Sequence, residues 1–429
     1  MTSIKTGLKV IFILCVMAGF ASLAFGQIEW TKHVDNPILE IGDFDEWDCN
    51  GAGLTSVIYD GGIYKGWYIG IDSYGTSRIG YATSQDGITW VKNVPHYPVF
   101  SPGEPGAWDG DNVNHACVVK VDDLYRMWYT GEGNGHNQIG CAYSYDGVHW
   151  ARNLGNNPVL SLGAPGSWEE SEVMHSTVIL LDGTYHMWYN GYGQNLQRTG
   201  HATSTDGFVW TRDPANPVIT MGESGLWDDY MLVMMAVVHR NNQFKMWYSA
   251  GDGTNEDNWY FRVGYATSPD GTTWTKYGTQ PVLDVGETFD WDYLGVVTSS
   301  VIYDSPANTY KMWFAGFDGE YIRSGYAFSV ATGINDEKES LPDDFALYQN
   351  YPNPFNASTT ISYRLPQASQ VKLAIYDILG QKVAVFNERR QAAGNHEFIW
   401  DAASLPSGIY FCRMEAEDYS QTQKMLLLK

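Results

Sequence analysis

The chain has 429 residues, a net charge of −23 and an aromatic-rich composition that includes 17 Trp and 29 Tyr. That length suits two or three domains or one large repeat fold rather than a single ordinary core. Acidity on this scale, with no Lys/Arg cluster, excludes nucleic acid and anionic membranes as partners.

Residues 1–26 read as a removable secretory signal peptide. Lys5 and Lys9 precede an apolar run, Val10 to Phe25, that closes on Ala24-Phe25-Gly26. The run is short for a membrane span, and no later stretch is long enough for a transmembrane segment. Loss of the two lysines would move the net charge from −23 to −25. Beyond the leader stand Cys49, Cys117, Cys141 and Cys412, without metal-like spacing, which read as buried single thiols.

Residues 27–333 repeat with a period of about 60 residues, the sign of a stacked or ring-like array. One tryptophan column lies in Y-x-M-W-Y-like segments: Trp67, Trp128, Trp188, Trp247 and Trp313. A second follows a Gly-rich turn at Trp47, Trp108, Trp168, Trp227 and Trp291, and a third closes S-x-D-G-x-x-W segments at Trp90, Trp150, Trp210 and Trp274. Each copy reads as four short strands, with an Asp-Gly hairpin before the fourth. Four strands per copy and aromatic columns predict an all-β, five-bladed β-propeller. The fifth copy lacks its D-G-x-x-W strand, but Ile28-Glu29-Trp30-Thr31-Lys32 matches Ile88-Thr89-Trp90-Val91-Lys92. The N-terminal segment is therefore expected to supply the outer strand of the last blade, which leaves no open edge. The tryptophans are packing residues. The acids after the turn tryptophans (Asp48, Asp109, Glu169, Asp228, Asp292) read as hydrogen-bond acceptors of turns or strand ends, and Asp86, Asp146, Asp206 and Asp270 as hairpin formers.

Columns that differ between blades point to function. The first-strand entrance offers Asn50 in blade one; Asp111, Asn114 and His115 in blade two; Glu170, Glu172 and His175 in blade three; and Asp229 and Tyr230 in blade four. Topology gathers these at one mouth of the funnel, a concave place with converging polar groups. Trp259, in the longest second-to-third loop, could stack on a sugar ring. The candidate catalytic acids at this mouth are Glu172, Asp111, Glu170 and Asp229. Binding would fall to His115, His175, Asn114, Asn50, Tyr230 and Trp259. No cofactor is demanded; a divalent cation in the channel is compatible with the carboxylates, though no ligand pattern requires one.

After a polar linker, 334–340, residues 341–429 change composition, and alternating segments such as Val371 to Tyr376 predict a small β-sandwich. Asn350-Tyr351-Pro352-Asn353-Pro354-Phe355-Asn356, Ile375-Tyr376-Asp377-Ile378-Leu379-Gly380, Leu405-Pro406-Ser407-Gly408-Ile409-Tyr410 and the Lys424–Lys429 end resemble the C-terminal sorting domain of the type IX secretion system. That resemblance implies export, engagement of the type IX machinery, and release or surface attachment.

The repeat region resembles the five-bladed glycoside hydrolase superfamily of arabinanases, β-xylosidases and invertases, through Ser56-Val57-Ile58-Tyr59-Asp60, Trp67-Tyr68 and their counterparts. It implies a secreted or cell-surface protein acting on a plant-type or microbial glycan, with carboxylates from early blades as acid, base and tuner; on that resemblance Glu172 would be the general acid and Asp111 the base or tuner, with Glu170 and Asp229 as substitutes. The position of the family's blade-one base holds Leu54, and the matching positions of blades two and three hold His115 and His175. Two alternatives stand beside a glycosidase: a non-catalytic carbohydrate-binding propeller and a surface interaction protein. The D-G-x-x-W segments loosely match sialidase Asp-boxes but lack one residue of that spacing, and no arginine triad accompanies them.

Overall fold

The computed structural model describes residues 30–92, 97–153, 155–252, 260–305, 307–330, 345–348, 350, 353–391, 394–417 and 419–429. The expected signal peptide, the linker 334–340 and Trp259 lie outside these residues. The described chain is all-β, with 27 strands and no helix.

A short first strand, β1 (Thr31–Lys32), precedes a run of four-stranded antiparallel units. Unit one is β2 (Gly51–Asp60), β3 (Ile63–Ile71), β4 (Ser77–Ser84) and β5 (Trp90–Lys92). Unit two is β6 (Asn112–Val121), β7 (Leu124–Gly133), β8 (His136–Ser144) and β9 (Ala151–Arg152). Unit three is β10 (Glu172–Leu181), β11 (Thr184–Gly193), β12 (Leu196–Ser204) and β13 (Thr211–Arg212). Unit four is β14 (Met231–Arg240), β15 (Gln243–Gly251), β16 (Phe261–Ser268) and β17 (Thr275–Lys276). Unit five has β18 (Gly295–Asp304), β19 (Thr309–Phe317) and β20 (Ile322–Val330), and β1 is its fourth strand: Thr31 pairs with Phe328 and Lys32 with Ala327.

The second strand of each unit is apolar on both faces because neighbouring units cover it from both sides. Its tryptophan (Trp67, Trp128, Trp188, Trp247, Trp313) is fully buried in every unit. Each core cluster joins two units. Trp67 packs with Val118 and Tyr125, Trp128 with Val178 and Tyr185, Trp188 with Val237 and Phe244, and Trp247 with Val296 and Tyr310. The fifth cluster sets Trp313 and Tyr326 of unit five against Leu54, Val57 and Tyr64 of unit one. Truncating any of these tryptophans to alanine is expected to cost about 3–5 kcal/mol.

The Asp-Gly hairpins serve the same seams. Trp67 Nε1 donates to the Gly147 carbonyl at 2.9 Å, Trp128 to Gly207 at 2.9 Å, Trp188 to Gly271 at 2.8 Å and Trp313 to Gly87 at 2.8 Å. Glycine is needed there twice over: Gly87 has φ 82°, and a Cβ would stand 3.0 Å from the Trp313 ring. Among the described residues Trp247 Nε1 has no acceptor. The equivalent residue, three before Trp30, is Gln27, outside the described residues.

The units differ in how backbone meets backbone. Gly295 forms a parallel bridge with Phe261, and Gly51 with Ile322. These two bridges merge units four, five and one into a single twelve-stranded sheet, while units two and three remain separate four-stranded sheets. Glycine heads β18 and β2, whereas Asn112, Glu172 and Met231 head β6, β10 and β14.

The C-terminal region holds β21 (Ala346–Leu347), β22 (Ser358–Leu365), β23 (Ser369–Asp377), β24 (Lys382–Gln391), β25 (Gly394–Asp401), β26 (Gly408–Ala416) and β27 (Tyr419–Leu427). They form sheets in the orders β21-β22-β25 and β24-β23-β26-β27. One core serves both: Ile361, Tyr363 and Trp400 from the first pack with Leu373, Ile375, Tyr410 and Met425 from the second.

Candidate functional site

All five first strands break register at the same level: between Leu54 and Ser56, Asn114 and Ala116, Met174 and Thr177, Leu232 and Met235, and Thr298 and Ser300. Bulges at an equivalent position in every unit are built features that re-aim side chains. In units two and three the bulge holds His115 (φ 36°) and His175 (φ 51°). Their rings meet edge to face at 5.4 Å. His175 Nδ1 lies 3.0 Å from the Val233 carbonyl, so that nitrogen carries the proton and donates. His115 is 2% exposed, and neither ring nitrogen has a partner among the described residues. Burial pushes the His115 pKa down to about 3 and that of His175 down to about 4, so both are neutral at pH 7. Beyond the bulges lies a cavity of about 150 Å³ lined by Thr55, Ser56, His115, Ser176, Ala236 and Ser299. No carboxylate lines it.

The carboxylates lie at the other end of the same strands. Glu172, half-buried, begins β10 and accepts a hydrogen bond from Asn137 Nδ2 at 3.4 Å. Burial raises its pKa, and the charge of Glu132 raises it further. Glu132, on β7, accepts from Asn112 Nδ2 at 3.0 Å, and Asn112 Oδ1 accepts the Ser77 N–H at 2.7 Å. His136 Nδ1 stands 2.9 Å from the Ser171 carbonyl. Ser77 to Asn112, Asn137 to Glu172 and His136 to Ser171 each link neighbouring units across 35 residues of sequence. An amide and carboxylate seam therefore runs from unit one through unit three, where units four, five and one use backbone bridges. A half-buried carboxyl whose pKa is raised by burial and by a second carboxylate has the chemistry of a candidate general acid.

The other candidates fall into place around this seam. Asp111 is exposed at the same entrance, and its N–H donates to the Glu132 carbonyl at 2.9 Å. The Glu170 carboxylate accepts the Gly166 N–H at 2.6 Å, and Asp229 accepts that of Gly225 at 2.6 Å, so both cap turns. Asn50 donates to the Asp72 carbonyl at 3.2 Å. Asn114 Oδ1 is buried with no partner among the described residues, and Tyr230 is exposed at the head of unit four. Leu54 is fully buried in the core between units five and one. Sequence reasoning missed Glu132, Asn112 and Asn137. The signal was present: Glu132 is the one carboxylate in a column otherwise filled by Ile71, Tyr192, Gly251 and Phe317.

The turn acids do more than accept turn hydrogen bonds. Asp48, Asp109, Glu169 and Asp228 accept the hydroxyls of Tyr68, Tyr129, Tyr189 and Tyr248. Each also pairs with a cation on the outer strand: Lys92, Arg152, Arg212 and Lys276, at 2.6, 2.9, 2.8 and 2.6 Å. In unit five Lys32 of β1 pairs with Asp292 at 2.7 Å. Among the described residues no three His, Cys, Asp or Glu side chains converge into a metal cage, and no helix is long and apolar enough to cross a membrane. The four described cysteines, Cys49, Cys117, Cys141 and Cys412, are free thiols.

Residues 349–428 match the secretion system C-terminal sorting domain. The chain is 26% identical over 319 residues to an uncharacterized protein of Mycobacterium tuberculosis, covering 71% of this chain and 95% of that one. It is 32% identical over 136 residues to a 1,2-β-oligomannan phosphorylase of Thermoanaerobacter, covering 29% of this chain and 45% of that protein. A glycosyl hydrolase structure from Bacteroides ovatus superposes with a TM-score of 0.57 at 19% identity, over 71% of this chain and 94% of the other. The repeat region thus has a fold shared with glycoside hydrolases and phosphorylases, and the tail is a sorting domain that marks the chain for the cell surface or the medium.

Proposed function

We propose that residues 27–333 form a five-bladed β-propeller that cleaves a glycan at the mouth between units two and three, after export by the type IX machinery. One observation carries the reading: Glu172 is a half-buried carboxyl with a raised pKa, held by Asn137 and facing the charge of Glu132. Glu172 would protonate the leaving glycosidic oxygen. Glu132 or Asp111 would take the proton of the attacking nucleophile on the other face of the sugar, the division of labour that glycoside cleavage requires. The neutral His115 and His175 lie deeper in the same strands and would not compete as acids. The relative that acts on 1,2-β-oligomannan makes a mannoside the first substrate to try, ahead of arabinan and xylan.

The test is release of reducing sugar from yeast mannan by the full chain. Glu172→Gln is expected to lower turnover at least a hundredfold with a melting temperature that holds or rises. Equal turnover in that variant removes Glu172 as the acid. A second reading, glycan binding without cleavage, is favoured by Leu54, a buried apolar residue where the resemblance puts a carboxylate. It requires retention of the glycan with no product formed.

A further inference from the structure

Three aromatic rings outside the seam, Phe44, Tyr74 and Phe289, are at least 90% exposed, and Phe289 also holds a strained backbone. Phe289 is 91% exposed and has φ 78°, the left-handed region that a bulky side chain avoids. It lies two residues before Trp291, in the turn that leads into β18. The equivalent residues of units two, three and four are Gly106, Gly166 and Gly225, with φ 84°, 85° and 91°. The geometry asks for glycine, and unit five supplies phenylalanine. In the same turn of the adjoining unit one, Phe44 is 90% exposed. The corresponding turns of units two to four contain no other aromatic residue than the buried-face tryptophan. Tyr74, 93% exposed, tips the loop between β3 and β4 of unit one.

All three rings are carried on fastened backbone. Glu287 N–H donates to Asp290 Oδ2 at 2.8 Å, and Asp43 N–H to Glu46 Oε2 at 2.9 Å. Asp72 Oδ1 accepts the N–H groups of both Tyr74 and Thr76, each at 2.9 Å. A ring on a held turn loses little freedom when a ligand stacks on it. The turns lead into the heads of the first strands, so the rings stand at the same end of the repeat region as Glu172, on units five and one rather than two and three.

We propose that Phe44, Phe289 and Tyr74 form a binding arc for the sugars of a glycan polymer flanking the one cleaved at Glu172; this rests on the glycan-cleaving reading. The chemistry favours a carbohydrate. The C–H face of a pyranose stacks on an aromatic ring, and exposed carboxylates next to Phe44 (Asp43 and Asp45) and Phe289 (Glu287 and Asp290) can accept sugar hydroxyls. Those same acids repel a lipid surface or a nucleic acid.

The experiment is affinity electrophoresis of the full chain through gels containing yeast mannan, arabinan or xylan, with binding of β-1,2-mannobiose measured alongside. Phe289→Gly and Phe44→Ala, singly and together, are the variants. Retardation by the polymer is expected to weaken about tenfold in the double variant, with disaccharide binding unchanged. Phe289→Gly should also hold or raise the melting temperature, because glycine relieves the positive φ. Undiminished polymer binding in the double variant overturns the arc and leaves Glu172 standing. A melting temperature that falls with affinity overturns it too, by making Phe289 structural. Self-association that sedimentation detects in the native chain and not in the double variant would assign the rings to a second copy and overturn the proposal. Native chain retarded by none of the three polymers overturns both the arc and the reading beneath it, whereas loss of turnover in Glu172→Gln with polymer binding intact supports both.

Discussion

Units two and three differ from units five and one in what heads the first strand, and the difference changes how neighbouring units are joined. Where Gly51 and Gly295 head the first strand, neighbouring units join through backbone and the seam carries no chemistry. Where Asn112 and Glu172 head it, the seam is made of side chains and a protonatable carboxyl results. The packing columns are indifferent to this choice, since the same buried tryptophan occurs in all units. Under the proposed function, one seam would carry the chemistry while the others hold the shape.

The largest effect tests the glycine-bridged run. If β1 serves unit five as β17 serves unit four, Lys32→Ala and Lys276→Ala should cost alike, about 3 kcal/mol each, because each strands a carboxylate that is almost wholly buried. Denaturant midpoints give the comparison, and a negligible loss for Lys32→Ala alone would mark unit five as the exception. Next is pH, which probes units two and three. The folded His115 and His175 have depressed pKa values, about 3 and about 4, against 6.5 unfolded. The unfolded chain therefore takes up protons first as pH falls. Stability is full above pH 6.5 and is lost on the way down to the folded values, by about 2 kcal/mol per histidine at pH 5. His175→Asn should flatten its share of that slope in a melting series. Glu172 has the opposite sign: its raised pKa favours the fold at low pH and weakens it as pH rises past the unfolded value. The smallest effect is Asn112→Ala, which loses its bonds to Ser77 and Glu132 for about 1 kcal/mol in denaturant unfolding.

The repeat was legible because a position filled in every copy is visible in one sequence. The match of residues 28–32 to 88–92 pointed to the pairing of Thr31 with Phe328. The site was legible only as an asymmetry. Glu172 and Asp111 were visible as acids in odd columns, but the sequence does not show that Asn137 holds Glu172 or that Glu170 and Asp229 cap turns. Those contacts join residues of different strands, and for the seam, of different units. The turn acids show the same limit: their place was readable, their cation on the outer strand was not.

The pairing of Thr31 with Phe328 has a consequence for export. The first described residues pair with strand β20 near the end of the repeat region, and a contact spanning so much chain forms late because its loop-closure entropy is unrewarded until the intervening units exist. A chain delivered start-first would stay unlatched until its final unit followed, when Lys32 could meet Asp292 and close the array.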